Sequence, residues 1–288
     1  MKPITIFTPT FNRAYILHKL YESLTRQIVK DFIWLVVDDG STDNTKELVD
    51  EWKKQNNIEI KFIYQENGGK ARAHNTGVKA CETELFMCVD SDDYLLDDAI
   101  ENILGKWNSW QEKDSIAGII AYTGKSDTET ISAKFPDKQT TTVTALYDGG
   151  FFGDAKMIHK ADILKNFLFP EIEGEKFVTE NYVYAQVDTD YEMLLLPKIV
   201  VIAEYLEDGY SKSQAKLFIK NPKGYSLYYN LKVKLSKGLK NKFKYSVAFV
   251  AANRAGKIKG FKTANSKIMY IISFIPGIML HMKKKNQN

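Results

Sequence analysis

The most constraining feature of this sequence is the alternation of short apolar runs with amphipathic segments across residues 3–89. The apolar runs at 4–7, 33–37 and 85–89 are continuous, which is typical of strands covered on both faces. The segments between them, such as 45–54, carry apolar residues at helical spacing. This order predicts an α/β fold with a mostly parallel central sheet, right-handed crossovers and helices on both faces.

Beyond residue 122 the pattern is less regular. Residues 125–142 are typical of a polar loop or hairpin, and 161–166 and 181–187 have helical spacing. From residue 211 onward, helical segments dominate. We therefore expect a domain over residues 1–209, with halves 1–100 and 101–209, followed by a mainly helical region over 210–288.

The net charge of +4 conceals a strong asymmetry along the chain. Residues 1–209 hold 22 lysines and arginines against 36 aspartates and glutamates, a balance of −14. Residues 210–288 hold 18 lysines and arginines and no acidic residue, a balance of +18. Such asymmetry indicates an anionic partner for the C-terminal region, either a membrane or a nucleic acid.

Three polar clusters follow predicted strands, at residues 8–13, 38–43 and 90–93. In an open α/β sheet, ligands bind beyond the carboxyl ends of the strands. Because these ends meet at one edge, the three clusters predict a single ligand crevice.

The third cluster reads Asp90-Ser91-Asp92-Asp93. Carboxylates this close repel one another unless a cation or protons neutralise them. Hard oxygen ligands suit Mg²⁺ or Mn²⁺, which commonly bind one or two protein carboxylates together with phosphate oxygens and water. The alternative is a solvated acidic turn that precedes the next helix.

Two further segments suit a nucleotide. In the second cluster, residues 38–43, a structural role for Asp43 or Thr42 is the alternative, since either residue could cap the next helix. The acidic pair Asp38-Asp39 is expected to face the same crevice as the third cluster. Residues 67–70 read Asn-Gly-Gly-Lys and precede a helical segment. Glycines at a helix N-terminus present free N–H groups, and Lys70 adds a positive charge, so a phosphate fits there.

Together these segments resemble glycosyltransferase family 2, whose members have the GT-A nucleotide-diphospho-sugar transferase fold. The matching stretches occur in the family's order and spacing: Thr8-Pro9-Thr10-Phe11-Asn12-Arg13, Val37-Asp38-Asp39-Gly40-Ser41-Thr42-Asp43, Gly68-Gly69-Lys70 through His74-Asn75-Thr76-Gly77, and Val89-Asp90-Ser91-Asp92-Asp93.

The resemblance implies roles for individual residues. Phe11 is expected to stack on the nucleotide base, Pro9 to line its pocket, and Asp39 to accept the uracil N3–H. The other residues that the resemblance places at the nucleotide are Asn12, Arg13, Lys70, Asn75, Asp90 and Ser91. His74 stands where relatives often carry arginine. A contact from His74 to the nucleotide and a purely structural role in the helix are equal alternatives.

The resemblance also implies a divalent cation, Mn²⁺ or Mg²⁺, at the DxD motif of Asp90 and Asp92. Asp92 is the expected direct ligand, whereas Asp90 is expected to face the ribose or a metal-bound water.

Inverting members of the family use a carboxylate base on a later helix. The matching segment here is 176–182, in which Glu180 is the expected base, although Asn181 replaces the family's usual aspartate. The alternative is that Thr179 or Asn181 caps the helix and Glu180 only favours its first turn.

The activity implied is metal-dependent, inverting transfer of a sugar from a nucleoside diphosphate sugar, expected to be UDP-linked. The acceptor would be the hydroxyl of a saccharide or lipid-linked saccharide in bacterial cell-surface polysaccharide or glycolipid synthesis. The alternatives are a nucleotidyltransferase of the same fold and a non-catalytic sugar-nucleotide or membrane-binding module. A nucleic-acid partner is not expected, because residues 1–209 would repel phosphate backbones.

For localisation, the sequence favours a cytoplasmic protein held at the inner face of the cell membrane. With two cysteines and no secretory signal pattern, we expect a reducing compartment. Residues 268–282 are mostly apolar, at about 15 residues too short to span a bilayer, and three lysines follow them. The alternative is that region 210–288 packs on the catalytic domain. Residues 203–211 resemble a segment that closes over the donor or acceptor in bacterial relatives, and an ordinary loop is the alternative.

Overall fold

The computed structural model describes residues 2–204 and 214–287, which form two compact units. Among these residues, the first unit contains 2–142, 151–168 and 190–204, and the second contains 143–150, 169–189 and 214–287. The predicted segment 203–211 falls mostly outside the described residues.

One sheet organises the first unit. Among the described residues its nine strands run in the order β3-β2-β1-β4-β8-β6-β9-β5, with β7 paired to β9. Their bounds are β1 Ile4–Thr10, β2 Phe32–Asp38, β3 Glu59–Tyr64, β4 Leu85–Cys88, β5 Tyr94–Leu95, β6 Ile116–Gly124, β7 Thr140–Thr141, β8 Ala155–Lys160 and β9 Glu192–Ile202.

Helices flank this sheet and dominate the C-terminal part of the chain, which confirms the predicted α/β fold with a helical C-terminal region. Their bounds are α1 Ala14–Thr25, α2 Thr45–Gln55, α3 Lys70–Ala80, α4 Ala99–Ser109, α5 Val143–Asp148, α6 Ala161–Leu164, α7 Asn181–Val187, α8 Gln214–Lys220, α9 Pro222–Leu235, α10 Leu239–Ala255, α11 Gly260–Thr263, α12 Lys267–Ile272 and α13 Phe274–Asn286.

The sheet is parallel where the sequence pattern is regular and mixed beyond it. Strands β1, β2, β3 and β4 pair in parallel, as predicted. Strand β8 pairs antiparallel with both β4 and β6, so the sheet as a whole is mixed rather than mostly parallel. Helical crossovers join the first four strands and allow each new strand to run in the same direction as the last, so these strands pair in parallel. Strand β8 enters the sheet in the opposite direction.

Burial explains why the first strands are stable in the centre of the sheet. Every residue of β1 and β2 is buried, as expected for strands covered on both faces. Beside them, Tyr21 of α1 stacks on Trp52 of α2 at 4.3 Å between ring centroids, and Trp52 lies 5.7 Å from Trp34 of β2. Rings of this size contribute much of the apolar area that a domain buries.

Helices from three separate chain segments form the second unit. The Glu175 carboxylate accepts hydrogen bonds from the backbone N–H groups of Lys223 and Gly224, at 2.8 and 2.9 Å, and so caps the start of α9. Asp188 accepts from the N–H groups of Val143 and Thr144 in the same way.

These contacts move the division of the chain away from the expected boundary. Segments 143–150 and 169–189 group with the C-terminal helices, so no single break at residue 209 separates the two units. The expected loop at 125–142 contains the short strand β7. Within the ranges described, the structure has no helix with the length and apolar character needed to cross a membrane.

Candidate active site

The carboxyl ends of β1 and β2 carry the first two polar clusters, and they are neighbours. Thr10 pairs with Asp38 in the parallel register, and the Asp39 N–H donates to the Thr10 carbonyl at 2.8 Å. The third cluster follows β4, which pairs with β1 on its other side. The structure therefore brings the three predicted clusters to one edge of the sheet.

Hydrogen bonds hold the first two clusters together. Asn12 adopts a left-handed backbone with φ of 54°, which asparagine tolerates better than most residues. Its side-chain oxygen accepts from the Thr42 N–H at 2.8 Å, and its own N–H donates to the Ser41 hydroxyl at 2.8 Å. Asn44 holds the cap position of α2, and Asp43, one residue before it, accepts from the Thr45 N–H at the start of the helix.

Asp39 is buried and fixes the glycine-rich loop that precedes α3. Its carboxylate accepts from the Gly68 and Gly69 N–H groups at 2.9 and 2.7 Å, and from the Gln65 amide at 2.6 Å. These three donors fix the orientation of the Asp39 carboxylate. The loops approach closely, since a Cβ on Gly40 would lie 2.8 Å from the Asn67 nitrogen.

Lys70, the first residue of α3, makes an ion pair with Asp90. Its ammonium lies 2.6 Å from one carboxylate oxygen and 2.9 Å from the other. Burial alone would favour the neutral acid, but the positive charges of Lys70 and Lys156 outweigh it and lower the pKa of Asp90. Asp90 is therefore an anion at neutral pH and is held beside a helix N-terminus.

The other two aspartates of the cluster shift in the opposite direction. Burial, reinforced by the Asp90 carboxylate, raises the pKa of Asp92. Burial also raises the pKa of Asp93 to about 7, with help from the neighbouring aspartates and against the Lys156 ammonium. Crowded carboxylates of this kind are stabilised by a bound cation. The donor set, three carboxylates with Lys70 and Lys156 beside them, fits Mg²⁺ or Mn²⁺.

Lys156 of β8 is a residue that the sequence analysis did not identify. Its buried ammonium lies 3.4 Å from the Asp93 carboxylate. Burial opposes its charge, but Asp93, Asp90 and Asp154 outweigh that effect and raise the pKa of Lys156. Its sequence signal is a single lysine inside an otherwise apolar run at 155–158, which is too short to identify a strand by itself.

The remaining predicted nucleotide residues differ in accessibility. The Phe11 ring is 46% exposed, as base stacking requires, whereas Pro9, Ser91 and Asn75 are buried. Arg13 lies against the Tyr15 ring, with 5.8 Å between the guanidinium carbon and the ring centroid.

His74 lies in the core of the first unit. It is 4% exposed, and its ring packs edge-on against Phe7 and Phe86 with centroids 5.6 and 5.4 Å away. This environment favours the interpretation of His74 as a core residue rather than a ligand contact.

Glu180 lies in the second unit, at the residue before α7 begins. The Tyr184 hydroxyl lies 3.4 Å from its carboxylate, and the Glu180 carbonyl accepts the N–H groups of Val183 and Tyr184. Neither Thr179 nor Asn181 occupies the cap position, which Glu180 itself holds without a side-chain cap bond.

Comparison with known proteins identifies relatives for the first part of the chain. The family model for glycosyl transferase family 2 matches residues 5–165. The chain is 38% identical over 110 residues to teichoic acid poly(glycerol phosphate) polymerase of Staphylococcus epidermidis, covering 38% of this chain and 15% of that protein. It is 34% identical over 113 residues to glycosyltransferase GlyG of Streptococcus pneumoniae, covering 39% of this chain and 36% of that protein. The matches thus span much less than two thirds of these relatives.

A longer match is to poly(ribitol-phosphate) beta-N-acetylglucosaminyltransferase TarP of Staphylococcus aureus, at 26% identity over 211 residues, 68% of this chain and 63% of that protein. Among solved structures, S. aureus TarS 1-349 in complex with UDP-GlcNAc has a TM-score of 0.63 at 18% identity, covering 98% of this chain and 81% of that one. Mannosyltransferase PcManGT from Pyrobaculum calidifontis, in complex with GDP-Man and Mn²⁺, has a TM-score of 0.59 at 16% identity, covering 99% and 82%.

The structural matches establish the GT-A fold, and the family match covers more than half of the 288 residues together with all four sequence stretches that predicted it. The chain belongs to glycosyl transferase family 2.

Proposed function

We propose that this protein transfers a sugar from a nucleoside diphosphate sugar to an acceptor hydroxyl, with inversion at the anomeric carbon. The observation that carries the proposal is the ion pair of Lys70 with Asp90. It links a glycine-rich helix start, which suits a diphosphate, to a carboxylate cluster that suits a divalent cation. A donor of this class needs both elements.

UDP is the proposed nucleotide. The exposed Phe11 ring is available to stack on a base, and Asp39 is an anionic acceptor suited to the uracil N3–H. Cytosine has a bare acceptor at that position and would repel the carboxylate. The UDP-GlcNAc complex of TarS, which shares the fold, supports a uridine donor and makes UDP-GlcNAc the first donor to test.

Asp92 is proposed as the direct metal ligand. Asp90 is proposed to contact either the ribose or a water molecule bound to the metal. A bound Mn²⁺ or Mg²⁺ would supply positive charge to the diphosphate leaving group. Lys70 adds a fixed positive charge to the same group, and the buried Lys156 keeps the carboxylates close together.

Glu180 is proposed as the base. It would take the proton of the acceptor hydroxyl while that oxygen forms its bond to the anomeric carbon on the face opposite the diphosphate. The bond from the anomeric carbon to the diphosphate oxygen breaks in the same step, and its electron pair leaves with the nucleoside diphosphate. A single displacement inverts the anomeric configuration and needs no covalent intermediate.

The proposed acceptor is a saccharide or lipid-linked saccharide of a bacterial cell-surface polysaccharide or glycolipid. The names of two similar proteins support this class, since one is a teichoic acid polymerase and the other a poly(ribitol-phosphate) beta-N-acetylglucosaminyltransferase. The sugar and the linkage are to be found by experiment.

The first experiment is a thermal-shift screen of nucleotide sugars with Mn²⁺ or Mg²⁺, because a bound donor raises stability by mass action. We expect UDP-sugars to stabilise the protein in a metal-dependent way. The hit is then incubated with metal and simple sugar acceptors, and NMR of the product reads the anomeric configuration.

Three outcomes would overturn the proposal in distinguishable ways. Binding without hydrolysis or transfer of any donor indicates a non-catalytic module. Release of pyrophosphate from a nucleoside triphosphate indicates a nucleotidyltransferase. A product with retained configuration excludes the single displacement.

A further inference from the structure

The C-terminal helices α12 and α13 have apolar side chains on two faces. One face packs within the second unit: Met269 and Tyr270 are buried, and Tyr270 lies 5.7 Å from the Phe249 ring of α10. Gly277 faces α10 so closely that an added Cβ would lie 2.5 Å from the Val250 Cβ. This inner face accounts for the anchoring of the two helices.

The outer face of the same helices is also apolar, and it is exposed. Between 51% and 73% of the surface of each of its residues is accessible, and they recur at helical spacing: Ile268, Ile271, Ile272, Ile275, Met279 and Met282. We call these six residues the outer stripe. Scattered exposed apolar residues are normal, but a row along one helix face marks an interaction surface.

The charges around the outer stripe are of one sign. Lys283 and Lys285, which follow Met282, are exposed, and residues 214–287 contain no aspartate or glutamate. Two aromatic rings border the stripe, with Phe261 47% and Phe274 40% exposed. An apolar row with lysines and aromatic rings at its margins is the composition of a helix that lies in a membrane interface.

We propose that the outer stripe docks on an anionic lipid bilayer, with the apolar side chains inserted among the acyl chains and the lysines at the headgroups. Charge complementarity selects this occupant. A second copy of the stripe would bring lysines against lysines, and a soluble polyanion would pair with the lysines but leave the isoleucines in water. Vesicle binding by the outer stripe is independent of the transferase chemistry, because it is measured without donor or acceptor.

The test is co-sedimentation of the full chain with vesicles of phosphatidylglycerol and phosphatidylcholine, or of phosphatidylcholine alone. We expect binding to the anionic vesicles that weakens as salt is raised, because salt screens the lysines. Ile275→Gln should weaken partitioning about tenfold, since one isoleucine no longer inserts. Ile28→Gln is the matched control, as Ile28 is 63% exposed in the first unit, and it should bind as the unchanged protein does.

The charges are tested in the same assay. The double change of Lys283→Gln and Lys285→Gln should weaken binding about thirtyfold, on the basis of roughly 1 kcal/mol for each lysine near an anionic surface. The matched control changes Lys53 and Lys54 of α2, also exposed, to glutamine and should have no effect.

Several results would overturn the proposal. One is equal binding to neutral and anionic vesicles, and another is an equal loss of binding in the control variants. A third is binding to inorganic polyphosphate that is as strong as vesicle binding and is unchanged by Ile275→Gln. A concentration-dependent dimer that Ile275→Gln abolishes would assign the stripe to a second copy instead. Circular dichroism checks that each variant is folded.

Discussion

Each unit buries a lysine beside an aspartate, and the two sites differ in what surrounds the pair. Lys156 in the first unit lies 3.4 Å from Asp93, and Lys232 in the second lies 3.6 Å from Asp148. Burial disfavours the charge of both. Around Lys156 several carboxylates outweigh it and raise the pKa, whereas around Lys232 burial prevails over Asp148 and lowers the pKa.

The difference shows what each unit does with buried charge. The first unit gathers an excess of carboxylates around the ammonium groups of Lys70 and Lys156, an arrangement that a cation would complete. In the second unit Asp148 also accepts the Tyr245 hydroxyl at 2.9 Å, and the Lys232 ammonium lies 4.9 Å from the Tyr245 ring. That network joins α5, α9 and α10 and is explained by the packing of the helices. The comparison predicts ligand-dependent effects in the first unit and stability effects in the second.

The largest expected effect is the loss of transfer in Asp92→Asn. If the carboxylates of the first unit complete a cation site, removing one should lower turnover about a thousandfold or more, since metal ions contribute several kcal/mol to charge stabilisation. Manganese binding, measured by electron paramagnetic resonance without donor, should weaken in parallel. Near-normal turnover with Mn²⁺ or Mg²⁺ would break the comparison and remove Asp92 from the site.

Glu180→Gln tests the one chemical role placed in the second unit. Loss of a general base should lower turnover by about 10²–10⁴-fold, while donor affinity stays within a few-fold of normal. Isothermal titration with a UDP-sugar reads binding, and a coupled assay reads turnover. Asn181→Ala is the control. If Asn181→Ala is inactive while Glu180→Gln is active, the base lies elsewhere.

The two buried lysines can be compared directly by replacing each with methionine. Either change removes the ion-pair partner of a buried aspartate, which should cost about 3–5 kcal/mol of unfolding free energy. Only Lys156→Met should also change the affinity for Mn²⁺, because only its partner belongs to the carboxylate cluster. An equal change of metal affinity in Lys232→Met would contradict the proposed division of roles.

Asp39→Asn separates a loop-fixing role from a base-reading role. Loss of the charged acceptor at Gly68 and Gly69 should destabilise the first unit by about 1–3 kcal/mol. If Asp39 also reads uracil, UDP should lose its advantage over CDP and GDP as a competitor of donor binding. A variant that is destabilised yet keeps the preference for UDP would restrict Asp39 to the loop.

The first hundred residues were predictable because their signals are local. Continuous apolar runs, helical spacing and polar strand ends each span fewer than about a dozen residues, and the expected strands at 4–7, 33–37 and 85–89 all form. The convergence of the clusters at 8–13, 38–43 and 90–93 followed from the predicted parallel strands alone, since parallel strands end at one edge.

The rest depends on contacts between distant segments, which periodicity does not record. Strand β9 contains Pro197, a residue that argues against a central strand, and the sheet accommodates it where the register with β6 shifts between Leu196 and Ile199. Lys156 could not be assigned before β8 was known to pair with β4. Glu175 caps α9 through residues that lie 48 and 49 positions further along the chain. Because composition does not record such distant contacts, the bounds of the second unit could not be predicted from it.

The smallest expected effect is the contribution of His159 of β8 to the pH dependence of stability in the first unit. Burial, with a smaller effect from His74, lowers the pKa of His159 from its usual value of 6.5 to about 3. Since the folded pKa is the lower one, stability from this residue is complete above pH 6.5 and falls as the pH drops toward 3. At pH 5 the loss should be about 2 kcal/mol.

Tryptophan fluorescence during urea unfolding reads this unit alone, because all four tryptophans, at 34, 52, 107 and 110, belong to it. His159→Gln should remove about 2 kcal/mol of the loss in unfolding free energy between pH 7 and pH 5. His18→Gln, at an exposed position of α1, should leave that loss unchanged. Identical slopes in the two variants would show that acid sensitivity arises elsewhere.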